Sequence, residues 1–167
     1  MKPLILWGGT DISPHWYNES PHPKTDKPDL QRDTREFLAV NDAVKEGRPV
    51  IGVCRGAQLL CVYNKGSLLQ HVPEHKNNSH PIFTYDDKII KNVAADHHQV
   101  MVPVGDFILY ATAYNITKDY LPEVVYWPAT KTLAVQPHPE WMQSAHPFNV
   151  WLNDLCKHLF NLDYEVF

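Results

Sequence analysis

The chain has 167 residues, a mass of 19.2 kDa and a formal net charge of −4, which suits one domain with its own hydrophobic core. Lysines and arginines are scattered singly, so neither a nucleic-acid surface nor attachment to an anionic membrane is expected. The three cysteines, Cys54, Cys61 and Cys156, lack the spacing of a disulfide framework, which is typical of a reducing compartment. The first apolar run is too short for a signal peptide. We therefore expect a single cytoplasmic domain over residues 1–167.

The first half of the chain alternates strands and helices. Short apolar runs without polar interruption predict buried strands of the kind found in parallel sheets. Apolar side chains at helical spacing predict helices, and a segment rich in proline and polar residues predicts a loop. The predicted elements are a strand at residues 3–7, a loop at 10–29, a helix at 32–46, a strand at 49–53 and a helix from Arg55 to about Gly66.

The second half is rich in β-branched and aromatic residues, and prolines and glycines divide it into short pieces. An apolar pattern at helical spacing closes the chain. The predicted elements are strands at 67–72, 98–104, 106–114, 123–127 and 132–136, a loop at 73–81 and a helix at 145–162. Strands and helices in this order indicate an α/β fold.

The stretch V-I-G-V-C-R-G-A-Q-L-L, residues 50–60, places Cys54 where a buried strand turns into a helix. A side chain at such a turn is pushed out of the sheet, and the N–H groups of the new helix point towards it. The helix N terminus favours a thiolate, and the same N–H groups can receive the oxyanion of a tetrahedral intermediate. The alternative is that Cys54 is a small buried hydrophobic residue, as most lone cysteines are.

A thiol nucleophile needs a base, and V-Q-P-H-P-E-W, residues 135–141, supplies a candidate. His138 follows a predicted strand and lies between two prolines. Residues i and i+2 of an extended segment face the same way, so Glu140 can reach the second imidazole nitrogen and set the tautomer. The alternative is a surface turn with an ordinary histidine. Both Cys54 and His138 follow strands, however, and ligands bind at the carboxyl ends of parallel strands.

Five segments occur in the order found in class I glutamine amidotransferase-like proteins, and they most closely resemble the γ-glutamyl hydrolase branch of that family. The segments are G-G-T-D-I-S-P-H-W-Y, R-D-T-R-E, G-V-C-R-G-A-Q-L-L, D-H-H-Q and P-H-P-E-W. The resemblance spans residues 7–142. It implies a flavodoxin-like three-layer α/β sandwich with a mostly parallel sheet. It also implies a catalytic triad in which Cys54 attacks a γ-glutamyl amide carbonyl, His138 moves the proton and Glu140 orients His138.

The same resemblance implies further site residues. The backbone N–H groups of Gly9 and Arg55 resemble an oxyanion hole, because the Gly-Gly turn lies beside the elbow in these enzymes. Gln58 resembles a residue that holds the glutamyl end of the substrate. The segment His97, His98 and Gln99 resembles the lining of that pocket. The resemblance leaves open which of the two histidines points inward, and it implies no cofactor and no metal.

Two departures from the family pattern affect the substrate more than the triad. Family members usually place a strand and a helix ahead of the Gly-Gly strand, so we expect a sheet trimmed at its N-terminal side. Unpaired backbone groups at residues 3–7 or 49–53 would then be covered by self-association or by the last helix. Asp96 stands where the family more often has an apolar residue, which places a charge near the pocket.

Other clusters point less clearly to chemistry. Four residues in a polar segment, His71, Glu74, His75 and His80, lack zinc-like spacing, so we predict a loop and no metal site there. Trp127, Trp141 and Trp151 are expected in the core or in the pocket wall. Cys61 falls on the apolar face of its helix and is expected in the core.

Three functions fit the sequence. The first is a free-standing hydrolase that cleaves a γ-glutamyl amide through a glutamyl thioester on Cys54. The second is a glutaminase subunit that releases ammonia from glutamine for a separate synthetase, since the chain shows no acceptor domain. The third is a binding module without activity, which the joint presence of Cys54, His138 and Glu140 disfavours.

Overall fold

A computed structural model of the chain describes residues 1–73, 78–114 and 119–167. The strands are β1 (Leu4–Leu6), β2 (Val50–Val53), β3 (Ser67–Leu69), β4 (Asn78–Thr84), β5 (Ile89–Ala95), β6 (Val100–Val102), β7 (Ile108–Tyr114), β8 (Tyr120–Trp127) and β9 (Thr132–Val135). The α-helices are α1 (Leu30–Lys45), α2 (Arg55–Tyr63) and α3 (Pro147–Phe160). Short 3₁₀ helices lie at Pro14–Tyr17 and Pro139–Trp141.

Seven strands form the main sheet in the order β1-β2-β9-β8-β7-β4-β5. Strands β1, β2 and β9 pair in parallel, and the pairings from β9 outward to β5 are antiparallel. Strands β3 and β6 form a separate antiparallel pair. The predicted α/β class is confirmed, and the parallel part of the sheet is its β1-β2-β9 side.

Apolar side chains alternate between the two faces of the sheet, which builds the predicted three layers. Val50 and Ala134 pack in the core beneath α1 and α2. Ile51 and Leu133, their neighbours in sequence, pack in the core beneath α3, beside Phe148. Because side chains alternate along a strand, a fully apolar strand such as β2 serves both cores at once.

The prediction of a loop at residues 73–81 is wrong for its last part, because β4 begins at Asn78; residues 74–77, which include Glu74 and His75, lie outside the described residues. β5 was not predicted at all. Pro81 lies inside β4, where the register with β5 shifts between His80 and Ile82. A proline cannot donate to the ladder and is tolerated at such an irregularity, so a proline here does not end the strand.

Strand β1 lies at one edge of the main sheet, paired with β2 alone among the described strands. Strand β2 is paired on both sides, so residues 50–53 are not left exposed. Trp7, directly after β1, is 43% exposed and meets Phe167 edge to face. Self-association across this edge stays a prediction. No helix in the described part of the chain is both long and apolar enough to cross a bilayer.

We expect Gly52→Ala to lower the free energy of unfolding by about 1–3 kcal/mol or more, the usual cost of overpacking. A Cβ at Gly52 would lie 2.3 Å from the carbonyl oxygen of Gly56 at the start of α2. The matched control is Gly105→Ala, since nothing lies within 4 Å of its Cβ position and only its φ of 78° is unfavourable. Urea unfolding of both variants would test this, and equal losses would contradict the steric explanation.

Candidate active site

The ends of three adjacent parallel strands meet at one edge of the sheet. Gly8 and Gly9 follow β1, Cys54 follows β2, and His138 follows β9 after two further residues. The backbone N–H of Cys54 donates to the carbonyl of Val135, the last residue of β9, at 2.8 Å. All four residues line a single cavity of about 650 Å³. The prediction that Cys54 and His138 share the carboxyl edge of the sheet is therefore confirmed.

Cys54 occupies a tight turn between β2 and α2. Its φ of 51° and ψ of −108° are unusual for a residue with a side chain, and such a conformation costs about 1–3 kcal/mol. The helix begins at the next residue, and the Cys54 carbonyl accepts from the Gln58 N–H at 3.1 Å. This is the strand-turn-helix elbow that the sequence predicts, with the thiol aimed at the cavity.

Two glycines let α2 approach the sheet closely enough to form this turn. A Cβ at Gly56 would lie 2.4 Å from the Leu6 carbonyl oxygen in β1, and one at Gly52 would meet Gly56 itself. On the other side of the cavity, a Cβ at Gly8 would lie 3.0 Å from His138 Cε1 and 3.7 Å from Cys54 Cβ. Because Gly8 has no side chain, it leaves room for both His138 and Cys54 beside it.

Burial raises the pKa of the Cys54 thiol to about 12. The Arg55 backbone N–H opposes this shift by hydrogen bonding to the sulfur, while the carboxylates of Asp96, Glu140 and Asp11 reinforce it. The thiol also approaches the Asp96 carbonyl oxygen at 3.9 Å. The predicted stabilisation of a thiolate by the helix N terminus is thus present, but the effect of burial on the pKa of the thiol is larger.

His138 is held on three sides. Its Nδ1 lies 2.7 Å from Glu140 Oε1. The predicted contact is present, but residues 139–141 form a 3₁₀ helix and not the extended segment from which it was predicted. Its ring stacks on Trp141 with centroids 3.7 Å apart and planes 2° from parallel. Its backbone N–H donates to the Ala94 carbonyl at 2.9 Å. Because the carboxylate binds Nδ1–H, the Nε2 of a neutral ring carries the lone pair that a base requires.

One predicted oxyanion-hole residue lines the cavity, and the other contacts the thiol sulfur. Gly9 lines the cavity, and the Arg55 N–H interacts with the sulfur. Gly9 is held by Arg32, whose guanidinium donates to the carbonyls of Trp7 and Gly8, each at 3.0 Å. A Cβ at Gly9 would lie 2.1 Å from Arg32 Nη1. The Gly-Gly turn is therefore fixed by a side chain of α1.

The Arg55 side chain points away from the cavity into a buried ionic cluster. It is 1% exposed and binds the carboxylates of Asp33 and Glu36. Glu36 also accepts from Arg32 Nε at 2.7 Å, and Asp33 accepts from the Ser13 N–H at 3.0 Å. The cluster was not predicted, although three of its residues belong to the R-D-T-R-E motif, residues 32–36. The cluster joins α1 to the elbow and to the Gly-Gly turn.

The residues predicted to bind substrate separate into two groups. Gln58, His97 and His98 line the cavity, so both histidines face it, whereas Gln99 is fully buried and does not line it. The Gln99 carbonyl accepts from Gln58 Nε2 at 3.4 Å and from His97 Nδ1 at 3.0 Å. Gln99 thus contacts the pocket through its backbone, by holding two lining side chains.

Three further carboxylates line the cavity, those of Asp11, Asp26 and Asp96, and the sequence predicts only Asp96 near the pocket. Asp11 accepts from His98 Nε2 at 3.1 Å and from the Asp26 N–H at 2.7 Å, and burial raises its pKa. Asp26 and Asp96 complete this side. Asp11 belongs to the G-G-T-D motif, which is the signal that could have found it. Trp141 lies in the pocket wall, as predicted.

An elbow cysteine, a histidine and carboxylate pair and a Gly-Gly turn at one sheet edge define a cysteine-hydrolase-like site. The Peptidase C26 family model matches residues 1–140, and the chain belongs to that family. It is 33% identical to "Putative glutamine amidotransferase Rv2859c" of Mycobacterium tuberculosis, over 82% of this chain and 50% of that protein. It is 34% identical to Protein NtpR of Enterococcus hirae, over 90% of this chain and 72% of that protein.

A solved structure gives the same fold. Glutamine amido transferase from Methylobacillus flagellatus superposes with a TM-score of 0.59 at 15% identity, over 95% of this chain and 76% of that one. The predicted resemblance to class I glutamine amidotransferase-like proteins is confirmed at the level of the family. The chain spans half the length of the mycobacterial relative.

We expect Arg55→Met to destabilise the protein by about 3–5 kcal/mol, because it leaves the fully buried Asp33 carboxylate without its charge partner. The matched control is Arg35→Met in α1, the helix that carries Asp33, and its exposed side chain should change stability by about 0.5 kcal/mol or less. Chemical denaturation of both variants measures the difference. Adding Asp33→Asn to Arg55→Met should recover part of the loss, and no recovery would argue against the charge explanation.

We expect the rate of Cys54 alkylation by iodoacetamide to keep rising above pH 9. The folded-state pKa of about 12 means that the reactive thiolate is scarce at neutral pH and increases tenfold per pH unit up to that value. Peptide mapping by mass spectrometry gives the rate at each cysteine, and urea-unfolded protein, with its ordinary thiol pKa near 9.0, is the control. A plateau between pH 6 and 8 would instead indicate a preformed thiolate–imidazolium pair.

Proposed function

We propose that the protein hydrolyses a γ-glutamyl amide bond in two steps, through a glutamyl thioester on Cys54. One observation carries this proposal: the strained elbow thiol faces the same cavity as the Gly-Gly turn and the His138–Glu140 pair. Within that pair, His138 Nδ1 lies 2.7 Å from Glu140 Oε1. Membership of the Peptidase C26 family supports cysteine-dependent amide hydrolysis in general. The γ-glutamyl substrate and the roles of the individual residues are part of the proposal.

The first step forms the thioester. His138 Nε2 takes the proton of the neutral thiol as the sulfur attacks the amide carbonyl, which gives a tetrahedral oxyanion. The N–H groups of Gly9 and Arg55 receive that oxyanion. The imidazolium then protonates the leaving nitrogen, the C–N bond breaks, and the amine departs. Because burial keeps the thiol neutral, removal of its proton and attack belong to one event.

The second step returns the cysteine. His138 removes a proton from a water molecule, which attacks the thioester carbonyl, and the proton then passes to the departing sulfur as glutamate is released. Glu140 keeps the imidazole in the Nδ1–H tautomer through both steps and stabilises its charged form. Gln58, held by the Gln99 carbonyl, is placed to bind the glutamyl end of the substrate.

A second candidate is supported by the names of similar proteins. The mycobacterial relative and the Methylobacillus structure are both described as glutamine amidotransferases, so the same site could release ammonia from glutamine for a separate synthetase. The chemistry on Cys54 is identical, and only the leaving group and the partner differ. The hydrolase and the glutaminase subunit both require turnover, whereas a binding module requires none.

Purified protein incubated separately with glutamine and with a γ-glutamylated amine would distinguish these functions. We expect release of glutamate and amine from the second substrate alone, measured by chromatography. Turnover of glutamine only in the presence of an added synthetase would favour the subunit. Binding of either compound without any glutamate release would favour the binding module and contradict the proposal.

We expect Cys54→Ala to abolish turnover and His138→Ala to lower kcat/KM by about 10²–10⁴, the usual contribution of a general base. Glu140→Gln should cost less, because it keeps a hydrogen bond to the imidazole and loses only its charge. A glutamine-like diazo ketone should label Cys54 and spare the fully buried Cys61 and Cys156, which serve as internal controls. Equal labelling of Cys61, or a Glu140→Gln variant as inactive as Cys54→Ala, would contradict the assigned roles.

A further inference from the structure

The active-site cavity is acidic. Its described lining contains four carboxylates, those of Asp11, Asp26, Asp96 and Glu140, and no lysine or arginine. Glu140 is engaged by His138, whereas Asp11 and Asp26 take no part in the proposed chemistry. A binding surface with this charge favours a ligand that is itself positively charged.

Asp11 and Asp26 hold two carboxylates close together in this cavity. One oxygen of each lies within 4.8 Å of the other. The Asp26 N–H and His98 Nε2 both donate to Asp11 Oδ2, at 2.7 and 3.1 Å. Within the described residues, nothing donates to Asp11 Oδ1 or to the Asp26 carboxylate. Two negative charges at this distance repel each other, and a cation bound between them removes the repulsion.

A buried amide in the same cavity presents another acceptor. Gln58 is 3% exposed, and its Nε2 donates to the Gln99 carbonyl at 3.4 Å. A carbonyl oxygen only accepts, so this contact identifies the NH₂ end of the amide and directs Oε1 away from Gln99. In the described part of the chain no donor meets Gln58 Oε1. A buried acceptor without a donor is costly, so Gln58 independently indicates a ligand that brings N–H groups into the cavity.

An ammonium group fits these acceptors better than a metal ion does. It carries three N–H donors and no acceptor. A metal ion between the carboxylates would need the lone pair of His98 Nε2, but that nitrogen directs its hydrogen to Asp11 Oδ2. Trp7 and Trp141, both exposed, form part of the cavity wall. Their rings suit the methylene chain of an alkylamine and attract its charged end.

The burial of these acceptors assigns the two ends of the substrate. The Gln58 N–H donates to the Cys54 carbonyl, so Gln58 lies one turn from the nucleophile, where the glutamyl end binds. Asp26 is exposed and therefore lies where the cavity opens to solvent, the side by which the amine departs. We propose that Asp11 and Asp26 bind an ammonium group on the leaving amine, so that the substrates are γ-glutamyl conjugates of diamines or polyamines. This inference rests on the proposed hydrolase function.

A bound ammonium group would also act on the nucleophile. Burial raises the pKa of the Cys54 thiol, and the negative charge of Asp11 adds to that effect. A cation on Asp11 cancels the added part. A substrate with a charged leaving amine would therefore favour removal of the thiol proton by His138, whereas a neutral or anionic amine would not.

The test compares three substrates that differ in the charge at the end of the amine. They are the γ-glutamyl conjugates of 1,4-diaminobutane, butylamine and 4-aminobutyrate. Because the glutamyl end is the same in all three, a difference in kcat/KM reports on the leaving amine. We expect the diamine conjugate to exceed the butylamine conjugate at least about tenfold, and the aminobutyrate conjugate to be the poorest of the three.

Asp26→Asn should lower the ratio of kcat/KM for the diamine conjugate to that for the butylamine conjugate at least about fivefold. Asp26→Lys should make the aminobutyrate conjugate a better substrate than the diamine conjugate. The matched control is Asp42→Asn, an exposed carboxylate of α1 that does not line the cavity, which should keep the original ratio. An equal loss for all three substrates in Asp26→Asn would place Asp26 at the glutamyl end and overturn the assignment. Loss of the charge preference in EDTA would indicate a metal ion and would also overturn it.

Calorimetric binding of the same conjugates to Cys54→Ala separates this inference from the hydrolase function. Turnover without a charge preference would overturn the ammonium site and leave the hydrolase intact. If none of the three conjugates is cleaved, the hydrolase function fails and the binding data decide. Tighter binding of the diamine conjugate, lost when Asp26→Asn is added, would support the site. Equal binding of all three, or no binding, would overturn it.

Discussion

The close contact between α2 and the parallel strands is the constraint on which the site depends. Gly56 lies so near the Leu6 carbonyl, and Gly52 so near Gly56, that neither position has room for a Cβ. This contact lets strand β2 turn into helix α2 at a single residue, and it holds Cys54 in its unfavourable conformation. The strain is offset by the burial of α2, whose residues are nearly all inside the protein. Overpacking at either glycine would therefore disturb the nucleophile first.

Much of the parallel side of the fold could be predicted because its signals are local. The apolar run of β2, the glycines around Cys54 and the i, i+2 spacing of His138 and Glu140 lie within short segments. Each predicts a feature that the structure shows: a strand, an elbow and a hydrogen-bonded pair. The catalytic roles of these residues remain predictions, because geometry alone does not measure activity.

The remaining features depend on contacts between distant segments. Prolines predict strand boundaries, yet Pro81 and Pro122 lie inside β4 and β8, where the strand pairing is irregular. The ion pairs of the Arg55 side chain could not be predicted from neighbouring residues, since its partners Asp33 and Glu36 belong to another helix. The direction of the Cys54 pKa shift was also not predicted. Burial depends on the whole fold, and its effect on the pKa exceeds that of one backbone N–H.

The stacking of His138 on Trp141 has a consequence for charge. When the imidazole takes a proton, the cation lies flat against the indole face at a centroid distance of 3.7 Å, and a cation held there gains about 0.5–2 kcal/mol from the ring quadrupole. Glu140 meets the same cation at its edge. The positive charge would thus be stabilised from two directions, one ionic and one aromatic, and the aromatic contribution is much less sensitive to salt than an exposed ion pair. Trp141 is therefore part of the electrostatics of the site as well as of its wall.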